Sequence, residues 1–244
     1  MEMEGIMQAL ATTLTAVQGK LHPGKPLEAT RFTGPGSEPL CALCGGTGWR
    51  RAENEEFIGL KRCICVKAKI RAARLSVIPE RFRESTFESY RPRNPMQERA
   101  LALIRKNPDG GWYLTGGYGS GKTHLLYAQY REMATDGKVC CHVRTTRELV
   151  EELRRAEFDD HFVSPVLAAA SKRERCHLFW DDIDKLKPTD FKTEVLFDLV
   201  DTLYRQNHGL TVTGNYSMHD LVERDCLHPA IVRRLDDMCG MIEL

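Results

Sequence analysis

Residues 116–123 read Gly-Gly-Tyr-Gly-Ser-Gly-Lys-Thr, which matches the G-x-x-x-x-G-K-[S/T] pattern of a phosphate-binding loop. The pattern follows a predicted strand at 111–115 and opens a predicted helix that runs to about residue 135. Glycines let backbone N–H groups turn toward phosphates, and the helix N-terminus adds positive potential. Lys122 can reach the β- and γ-phosphates of a nucleotide, and the Thr123 hydroxyl can bind Mg²⁺. The predicted binding residues are Gly116, Gly117, Tyr118, Gly119, Ser120, Gly121, Lys122 and Thr123.

A phosphate-binding loop works together with polar residues that bind Mg²⁺, water and the γ-phosphate. Two further predicted strands are followed by residues of this kind. The apolar run His177–Trp180 is followed by Asp181 and Asp182. We expect Asp181 to hold Mg²⁺, directly or through water, and Asp182 to polarise the attacking water. The predicted strand Leu210–Thr213 is followed by Asn215, which we expect next to the γ-phosphate.

From about residue 96 onward, predicted helices alternate with short apolar runs. The helices are expected at 96–106, 122–135, 147–158 and 191–206, and the strands at 111–115, 139–143, 177–180, 210–213 and 241–244. Strands separated by helices are typical of β-α-β units, which form a parallel sheet. The predicted fold class is therefore α/β, a parallel sheet flanked by helices.

From about Ile78 to Leu244 the chain resembles the DnaC/DnaI-type replicative helicase loaders, a branch of the AAA+ ATPases. The residues that carry the resemblance are the loop at 116–123, Asp181-Asp182, Asn215, Arg233-Arg234-Leu235, Ile78–Phe82 and Thr86-Phe87. The resemblance implies a P-loop NTPase core of the AAA+ type with little or no C-terminal lid. It also implies ATP and Mg²⁺ as cofactors, and a hexameric replicative DNA helicase and single-stranded DNA as partners.

The resemblance assigns roles to single residues. Arg234 is similar to the arginine finger that reaches a neighbouring subunit's ATP, with Arg233 as the alternative, and it implies self-association on the helicase. Ile78–Phe82 resembles the segment that packs on the adenine. Most AAA+ ATPases have Glu where this chain has Asp182, which is one methylene shorter, so slow hydrolysis is expected. The implied catalytic set is Lys122, Asp182, Asn215 and Arg234.

Four of the nine cysteines form a cluster with the spacing Cys41-x₂-Cys44 and Cys63-x-Cys65, separated by 18 residues. Four thiolates can close a tetrahedral Zn²⁺ site and leave no open coordination position, which favours a structural role. An Fe–S cluster is the alternative. The other five cysteines are expected to be small apolar core residues.

The region before the ATPase part divides into segments of different character. Met3, Met7, Leu10, Leu14 and Val17 form the apolar stripe of a helix predicted over 2–18, and a Gly/Pro-rich linker follows up to residue 40. We expect residues 1–65 to bind the helicase. The predicted parts are an N-terminal helix and linker at 1–40, a zinc module with a basic helix (67–75) at 41–75, a connector on the adenine side at 76–95, and the ATPase domain at 96–244.

Nucleic-acid binding must come from local charge, because 35 Lys and Arg against 34 Asp and Glu leave a net charge of only +1. The residues considered are Arg144, Arg147, Arg154 and Arg155, which lie in and beyond the second strand of the ATPase part. The resemblance implies that the helices after this strand follow single-stranded DNA. A solvated helix face of mixed charge is the alternative.

Composition restricts the remaining possibilities. A hydrophobic share of 42% suits a globular protein with a core. No run approaches the ~20 apolar residues of a membrane span, and the acidic start leads into no signal core, so a cytoplasmic location without membrane partners is expected. Two other functions stay open: a transposition helper ATPase of the IstB type, and a zinc-dependent DNA-binding adaptor with ATP as a structural ligand.

Overall fold

The computed structural model describes residues 41–54, 57–137, 139–185 and 187–244. The helix predicted over 2–18 and the linker up to residue 40 lie outside the described residues. The chain divides into two units, Met1–Thr47 and Gly48–Leu244. In the first unit, a tight turn is closed by the Gly45 N–H, which donates to the Cys41 carbonyl at 2.8 Å. Gly45 and Gly46 have φ values of 58° and 87°, a left-handed conformation that favours glycine.

The second unit begins with an antiparallel hairpin that the sequence analysis does not predict. Strand β1 (Trp49–Asn54) pairs with β2 (Phe57–Arg62), and helix α1 (Ile64–Ser76) follows directly. The helix was predicted at 67–75 and extends further at its N-terminus. Its C-terminal end is fixed to the rest of the unit because the Tyr130 hydroxyl donates to the Arg74 carbonyl at 2.7 Å.

A five-stranded parallel sheet organises the rest of the unit. Its strands are β3 (Trp112–Thr115), β4 (Cys140–Thr145), β5 (Cys176–Asp181), β6 (Gly209–Thr213) and β7 (Gly240–Glu243), in the order β4-β5-β6-β3-β7. The predicted parallel α/β sheet is confirmed. Since all five strands run the same way, their carboxyl ends lie at one edge of the sheet, where ligands of such sheets bind.

Helices connect the strands and cover the sheet. They are α2 (Pro95–Lys106), α3 (Lys122–Asp136), α4 (Thr146–Phe158), α5 (Pro165–Ala170), α6 (Asp190–Arg205), α7 (Met218–Glu223) and α8 (Pro229–Met238). Short 3₁₀ turns lie at Glu80–Phe82 and Ile183–Lys185. The four helices predicted at 96–106, 122–135, 147–158 and 191–206 are present within one residue at each end. Helices α5 and α7 were not predicted, because six residues are too few to show a helical apolar period.

The core lies on both faces of the sheet. Strand β5 is buried along its whole length, with Leu178, Phe179 and Trp180 at most 1% exposed, and α6 contributes Leu199 and Leu203. The expectation that the scattered cysteines are core residues holds for Cys141, Cys176 and Cys239, whereas Cys226 is half-buried and Cys140 is exposed. In the described part of the chain, no helix is both long and apolar enough to span a membrane.

Candidate nucleotide site

The loop predicted to bind phosphate joins β3 to α3 at the carboxyl edge of the sheet. The Lys122 ammonium is buried within the loop, and it donates to the carbonyl oxygens of Gly116 at 2.7 Å and Gly117 at 2.8 Å. Burial lowers the pKa of Lys122, and the nearby carboxylates, Asp184 first among them, oppose that shift. The lysine is therefore positioned by the same loop that surrounds it.

Two glycines of this loop are required by close contacts. Gly116 has φ 140°, and a Cβ there would lie 2.4 Å from the Leu244 carbonyl oxygen. Gly121 has φ 95°, and a Cβ there would lie 2.6 Å from the Tyr90 ring. The Ser120 carbonyl between them accepts from the Tyr90 hydroxyl at 3.2 Å and from the Gln97 amide at 3.1 Å. The loop is held in shape from the N-terminal side by residues that sequence reasoning did not select.

Asp181, at the end of β5, lies beside Thr123. Its Oδ1 atom accepts hydrogen bonds from the hydroxyls of Thr123 at 3.2 Å and Thr213 at 2.5 Å. Burial raises the pKa of Asp181, and these hydrogen bonds together with the Lys122 charge act against that rise. The two side chains predicted to hold Mg²⁺ are thus adjacent, and carboxylate and hydroxyl oxygens are ligands that Mg²⁺ prefers.

Asp182 is half-buried and has φ 60°, which is rare for a residue with a side chain. Its backbone N–H donates to the Thr213 hydroxyl at 2.9 Å, and its carbonyl accepts from the Thr146 hydroxyl at 2.6 Å. The Thr146 oxygen in turn accepts from the Trp180 indole N–H at 2.8 Å. The left-handed turn at Asp182 is therefore maintained by two threonines from neighbouring elements.

Asn215 follows β6 and is held by Asp184. The Asn215 backbone N–H and side-chain amide donate to the two Asp184 carboxylate oxygens, at 3.1 and 2.8 Å. Sequence reasoning missed Asp184. The available signal was a third acid, three residues after Asp181, on the same turn.

Arg234, on α8, is paired within its own chain. Its Nε and Nη2 atoms lie 3.2 and 3.1 Å from Asp201 Oδ1, and its guanidinium stacks 4.4 Å from the Tyr204 ring centroid. Arg205 pairs with the other Asp201 oxygen at 2.7 Å. Arg233, the alternative finger, is exposed.

The segment predicted to pack on adenine is divided between two positions. Ile78 is buried in a core cluster under α3, and Phe82 stacks on Tyr127 with ring centroids 5.0 Å apart. A later part of the connector reaches the phosphate loop, where a cavity of about 240 Å³ opens. Its lining residues are Ser89, Tyr90, Arg91, Arg93, Gln97, Gly119, Ser120, Gly121 and His124.

Three of the four arginines considered for DNA binding form ion pairs within the chain. Arg144 pairs with Glu152 at 2.6 Å, Arg154 with Glu151 at 3.2 Å, and Arg155 with Asp159 at 3.3 Å. Arg147 instead lines a cleft of about 440 Å³ together with Thr146, Val150, Glu151, Lys185, Lys187 and Lys192. We call this the basic cleft; it adjoins the phosphate loop, because Lys185 Nζ lies 5.3 Å from the Tyr118 ring centroid.

The four cysteines predicted to bind metal are brought together. The sulfur atoms of Cys41, Cys44, Cys63 and Cys65 all lie within 4.8 Å of one another. Cys63 is fully buried and the other three are half-buried. This donor set and spacing fit a closed Zn²⁺ site with four thiolates, and the prediction of a metal-binding cluster at these residues is compatible with the structure.

Among the comparisons with known proteins, only the comparison with solved structures finds matches, and these concern the fold. No protein-family model matches the chain, and no curated protein matches its sequence. The crystal structure of the DnaC helicase loader is 23% identical with a TM-score of 0.57, over 68% of this chain and 99% of that one. DnaI is 19% identical with a TM-score of 0.57, over 68% of this chain and 94% of that one.

A third solved structure is the replication initiator DnaA bound to AMPPCP and single-stranded DNA. It is 18% identical with a TM-score of 0.53, over 66% of this chain and 50% of that one. The parallel sheet flanked by helices matches the fold of these three solved structures. The fold expected from the sequence resemblance is confirmed.

Proposed function

We propose that this chain is an ATP-dependent loader of a replicative DNA helicase. The observation that carries the proposal is the convergence of Lys122, Thr123, Asp181 and Asn215 at the carboxyl edge of one parallel sheet. The AAA+ fold and its likeness to two helicase loaders support this function over other uses of a phosphate loop.

ATP binding is proposed to exchange one set of Lys122 contacts for another. The ammonium now donates to the Gly116 and Gly117 carbonyls, and nucleotide phosphates would take over those hydrogen bonds as stronger, charge-assisted ones. Thr123 and Asp181 would hold Mg²⁺, which neutralises charge on the phosphates when bound. The cavity beside Tyr90 and His124 would receive the nucleoside, because it opens from the same loop.

Hydrolysis is assigned to the residues at the ends of β5 and β6. Asp182 would orient and polarise the attacking water, since its turn is fixed by Thr213 and Thr146. Asn215 would contact the γ-phosphate, and Asp184 would keep its amide in place. Asp184 is thus a positioning residue.

Arg234 would complete the ATP site of a neighbouring subunit when several chains assemble on the helicase. To do so it must leave Asp201, which stays compensated by Arg205. Intramolecular pairing of the finger in the isolated chain agrees with hydrolysis that is slow until partner chains are present. Arg233 is the alternative finger if Arg234 keeps its pairing.

Single-stranded DNA would bind to the ATPase domain along the basic cleft. Arg147, Lys185 and Lys187 are exposed there, and phosphate neutralisation by a few cations per subunit suffices for sequence-independent binding. This assignment replaces Arg144, Arg154 and Arg155, whose charges are compensated within the chain.

Helicase binding is assigned to residues 1–65, which include the cysteine cluster. Zn²⁺ bound by Cys41, Cys44, Cys63 and Cys65 would act structurally, because four protein ligands leave no position for a substrate. When bound, the metal would supply folding free energy to a segment with little apolar core of its own.

The proposal is tested by binding and loading assays on the full, zinc-loaded chain. Lys122→Ala should abolish ATP binding without changing the fold, while the matched variant Lys106→Ala, an exposed lysine at the end of α2, should bind ATP normally. The unaltered chain should co-purify with a hexameric helicase and transfer it onto circular single-stranded DNA. ATP binding without any helicase association would instead favour the adaptor function, and full ATP affinity in Lys122→Ala would refute the nucleotide site.

A further inference from the structure

A groove with an acidic rim is formed by the N-terminal half of α6 and the segment from the end of α7 to the start of α8. Its volume is about 710 Å³, and among the described residues no lysine or arginine lines it. Three exposed acids line it: Asp190, Glu194 and Asp225. Its apolar surface comes from Phe197, Val222, Leu227, Pro229 and Ala230. We call this feature the acidic groove.

The negative charge of the acidic groove is not compensated within the part of the chain that the structure describes. None of its three acids forms an ion pair with a described residue. Two basic residues that neighbour these acids in the sequence are directed elsewhere. Lys192 lines the basic cleft and donates to the Lys187 carbonyl at 3.0 Å, and the Arg224 guanidinium stacks 4.4 Å from the ring centroid of Tyr216. An apolar groove edged by free carboxylates suits an amphipathic helix with basic side chains.

Helix α1 presents an exposed face of this kind. The helix contains no Asp or Glu, and its exposed Lys67 and Arg71 form no ion pair with a described residue. These two cations are four residues apart, so they lie one above the other on the same side of the helix. Ile64, which is 58% exposed, and two exposed alanines, Ala68 and Ala72, adjoin them there. We call these five residues the basic stripe.

The charges of the two surfaces have the same spacing. The two acids on α6, Asp190 and Glu194, are four residues apart, as are the two cations of the basic stripe. Four residues span about 6 Å along a helix, so a basic stripe laid along α6 forms both ion pairs at once. The small side chains of Ala68 and Ala72 let the axis of α1 come close to the apolar floor of the groove.

The basic stripe and the acidic groove lie on opposite faces of the parallel sheet. Leu75, at the end of α1, packs against the core cluster that contains Phe179. Phe197, in the groove, packs against the cluster that contains Leu178 and Trp180. Successive residues of a strand point to opposite faces, so β5 separates the two clusters. One chain therefore does not bring its own stripe into its own groove, and a contact between them needs two copies.

We propose that the basic stripe of one copy of this chain docks in the acidic groove of a second copy. Because two different surfaces meet, the contact is heterologous and adds copies head to tail. A single docked helix covers less than the roughly 1,000 Å² of a stable interface, so the contact is weak by itself. It strengthens where a common partner holds several copies side by side. This contact goes beyond the loader function proposed above and depends neither on ATP nor on DNA.

Sedimentation of the full, zinc-loaded chain without nucleotide or DNA tests the contact. The unaltered chain should self-associate as its concentration rises. Association should weaken with added salt, because the Debye length falls from about 10 Å at 0.1 M to about 3 Å at 1 M. Lys67→Glu with Arg71→Glu, and separately Asp190→Lys with Glu194→Lys, should each weaken association roughly tenfold or more, since like charges then face each other.

Mixing these two reversed variants separates a contact between copies from a general effect of charge. The intact stripe of one variant meets the intact groove of the other, so the mixture should associate although neither variant does so alone. A chain with all four changes should associate with itself again. Lys106→Glu with Lys172→Glu alters two exposed lysines outside the stripe and should associate like the unaltered chain. Unchanged zinc content and ATP affinity show that the variants are folded.

A photocrosslinker at the centre of the stripe identifies the surface it meets. Ala68→p-benzoylphenylalanine should join two chains, and mass spectrometry should find the second end of the crosslink within residues 188–197 or 222–230. The contact is refuted if the unaltered chain stays monomeric at high concentration and low salt, or if the mixture of reversed variants does not associate. Equal weakening by the control pair, or crosslinks confined to one chain, to DNA or to the helicase, would also reject it. The ATP-binding and loading assays decide the loader function separately.

Discussion

Protonation of His177 is expected to destabilise the part of the chain that contains the parallel sheet as the pH falls. The His177 side chain is fully buried on β5, and its Nε2 lies 2.9 Å from the Thr211 hydroxyl. Thr211 donates to the Gln129 side-chain oxygen at 3.1 Å, so its oxygen must accept from His177, and the proton of the neutral ring is on Nε2. Among the described residues, Nδ1 has no hydrogen-bond partner. A second proton there would place an unpaired charge in the core.

The size of the loss in stability follows from the shift in the pKa of His177. Burial, with a smaller contribution from Arg175, lowers the pKa of His177 from 6.5 to about 3. A lowered histidine pKa means that the unfolded chain binds more protons, so stability is complete above about pH 6.5 and is lost as the pH falls toward 3. Each pKa unit corresponds to about 1.4 kcal/mol, which gives a loss of roughly 2 kcal/mol at about pH 5.

The assay is urea unfolding followed by the fluorescence of buried Trp180, at about pH 7 and about pH 5. His177→Gln keeps an amide donor for Thr211 but cannot titrate, so it should lower the free energy of unfolding at pH 7 and lose less of it at pH 5. His161→Gln, at an exposed histidine, is the matched control and should follow the unaltered chain. Burial also lowers the pKa of His142 and raises that of Asp181. Both residues are present in the variant and in the unaltered chain, so their contributions to the pH dependence of stability cancel in the comparison. An equal loss between the two pH values in His177→Gln and the unaltered chain would refute the reasoning.

Three further variants address the proposed chemistry. Asp182→Asn should retain ATP binding but slow hydrolysis at least tenfold, because Asp181 still holds the metal; unchanged turnover measured by phosphate release would exclude Asp182 as the residue that polarises water. Arg234→Ala should leave single-chain ATP affinity intact and reduce partner-stimulated hydrolysis, and mixing it with Lys122→Ala chains should restore part of the activity. Co-assembled mixtures without recovery would show that Arg234 does not act in trans. Cys41→Ser should release about one Zn²⁺ per chain, measured by elemental analysis, while ATP binding persists; iron in the unaltered protein would indicate an Fe–S cluster instead.

The sequence by itself determined the class of fold and the elements of the nucleotide site. The alternation of helical and apolar segments predicts a parallel sheet, because two parallel strands need a crossover between them. The loop at 116–123 and the acids after β5 are local patterns, and parallel topology brings the carboxyl ends of their strands to one edge. Thr123 and Asp181 therefore lie side by side, although they are 58 positions apart in the sequence.

Only the tertiary structure decided which side chains support or compensate those residues. Asp184 holds Asn215, Thr213 and Thr146 hold the turn at Asp182, and none of these contacts follows a local spacing rule. The residues in these contacts are 31 to 36 positions apart in the sequence, and how close they come in space depends on the order of the strands in the sheet.

The availability of charge was also decided by tertiary structure. Arg144 and Arg234 resemble free cations in the sequence, yet each faces a carboxylate, on α4 and α6 respectively. Lys185 and Lys187 gain importance only because the turn after β5 brings them to Arg147. A basic residue binds a polyanion with its full charge only where no acid of its own chain has paired with it, and that pairing depends on neighbours distant in sequence.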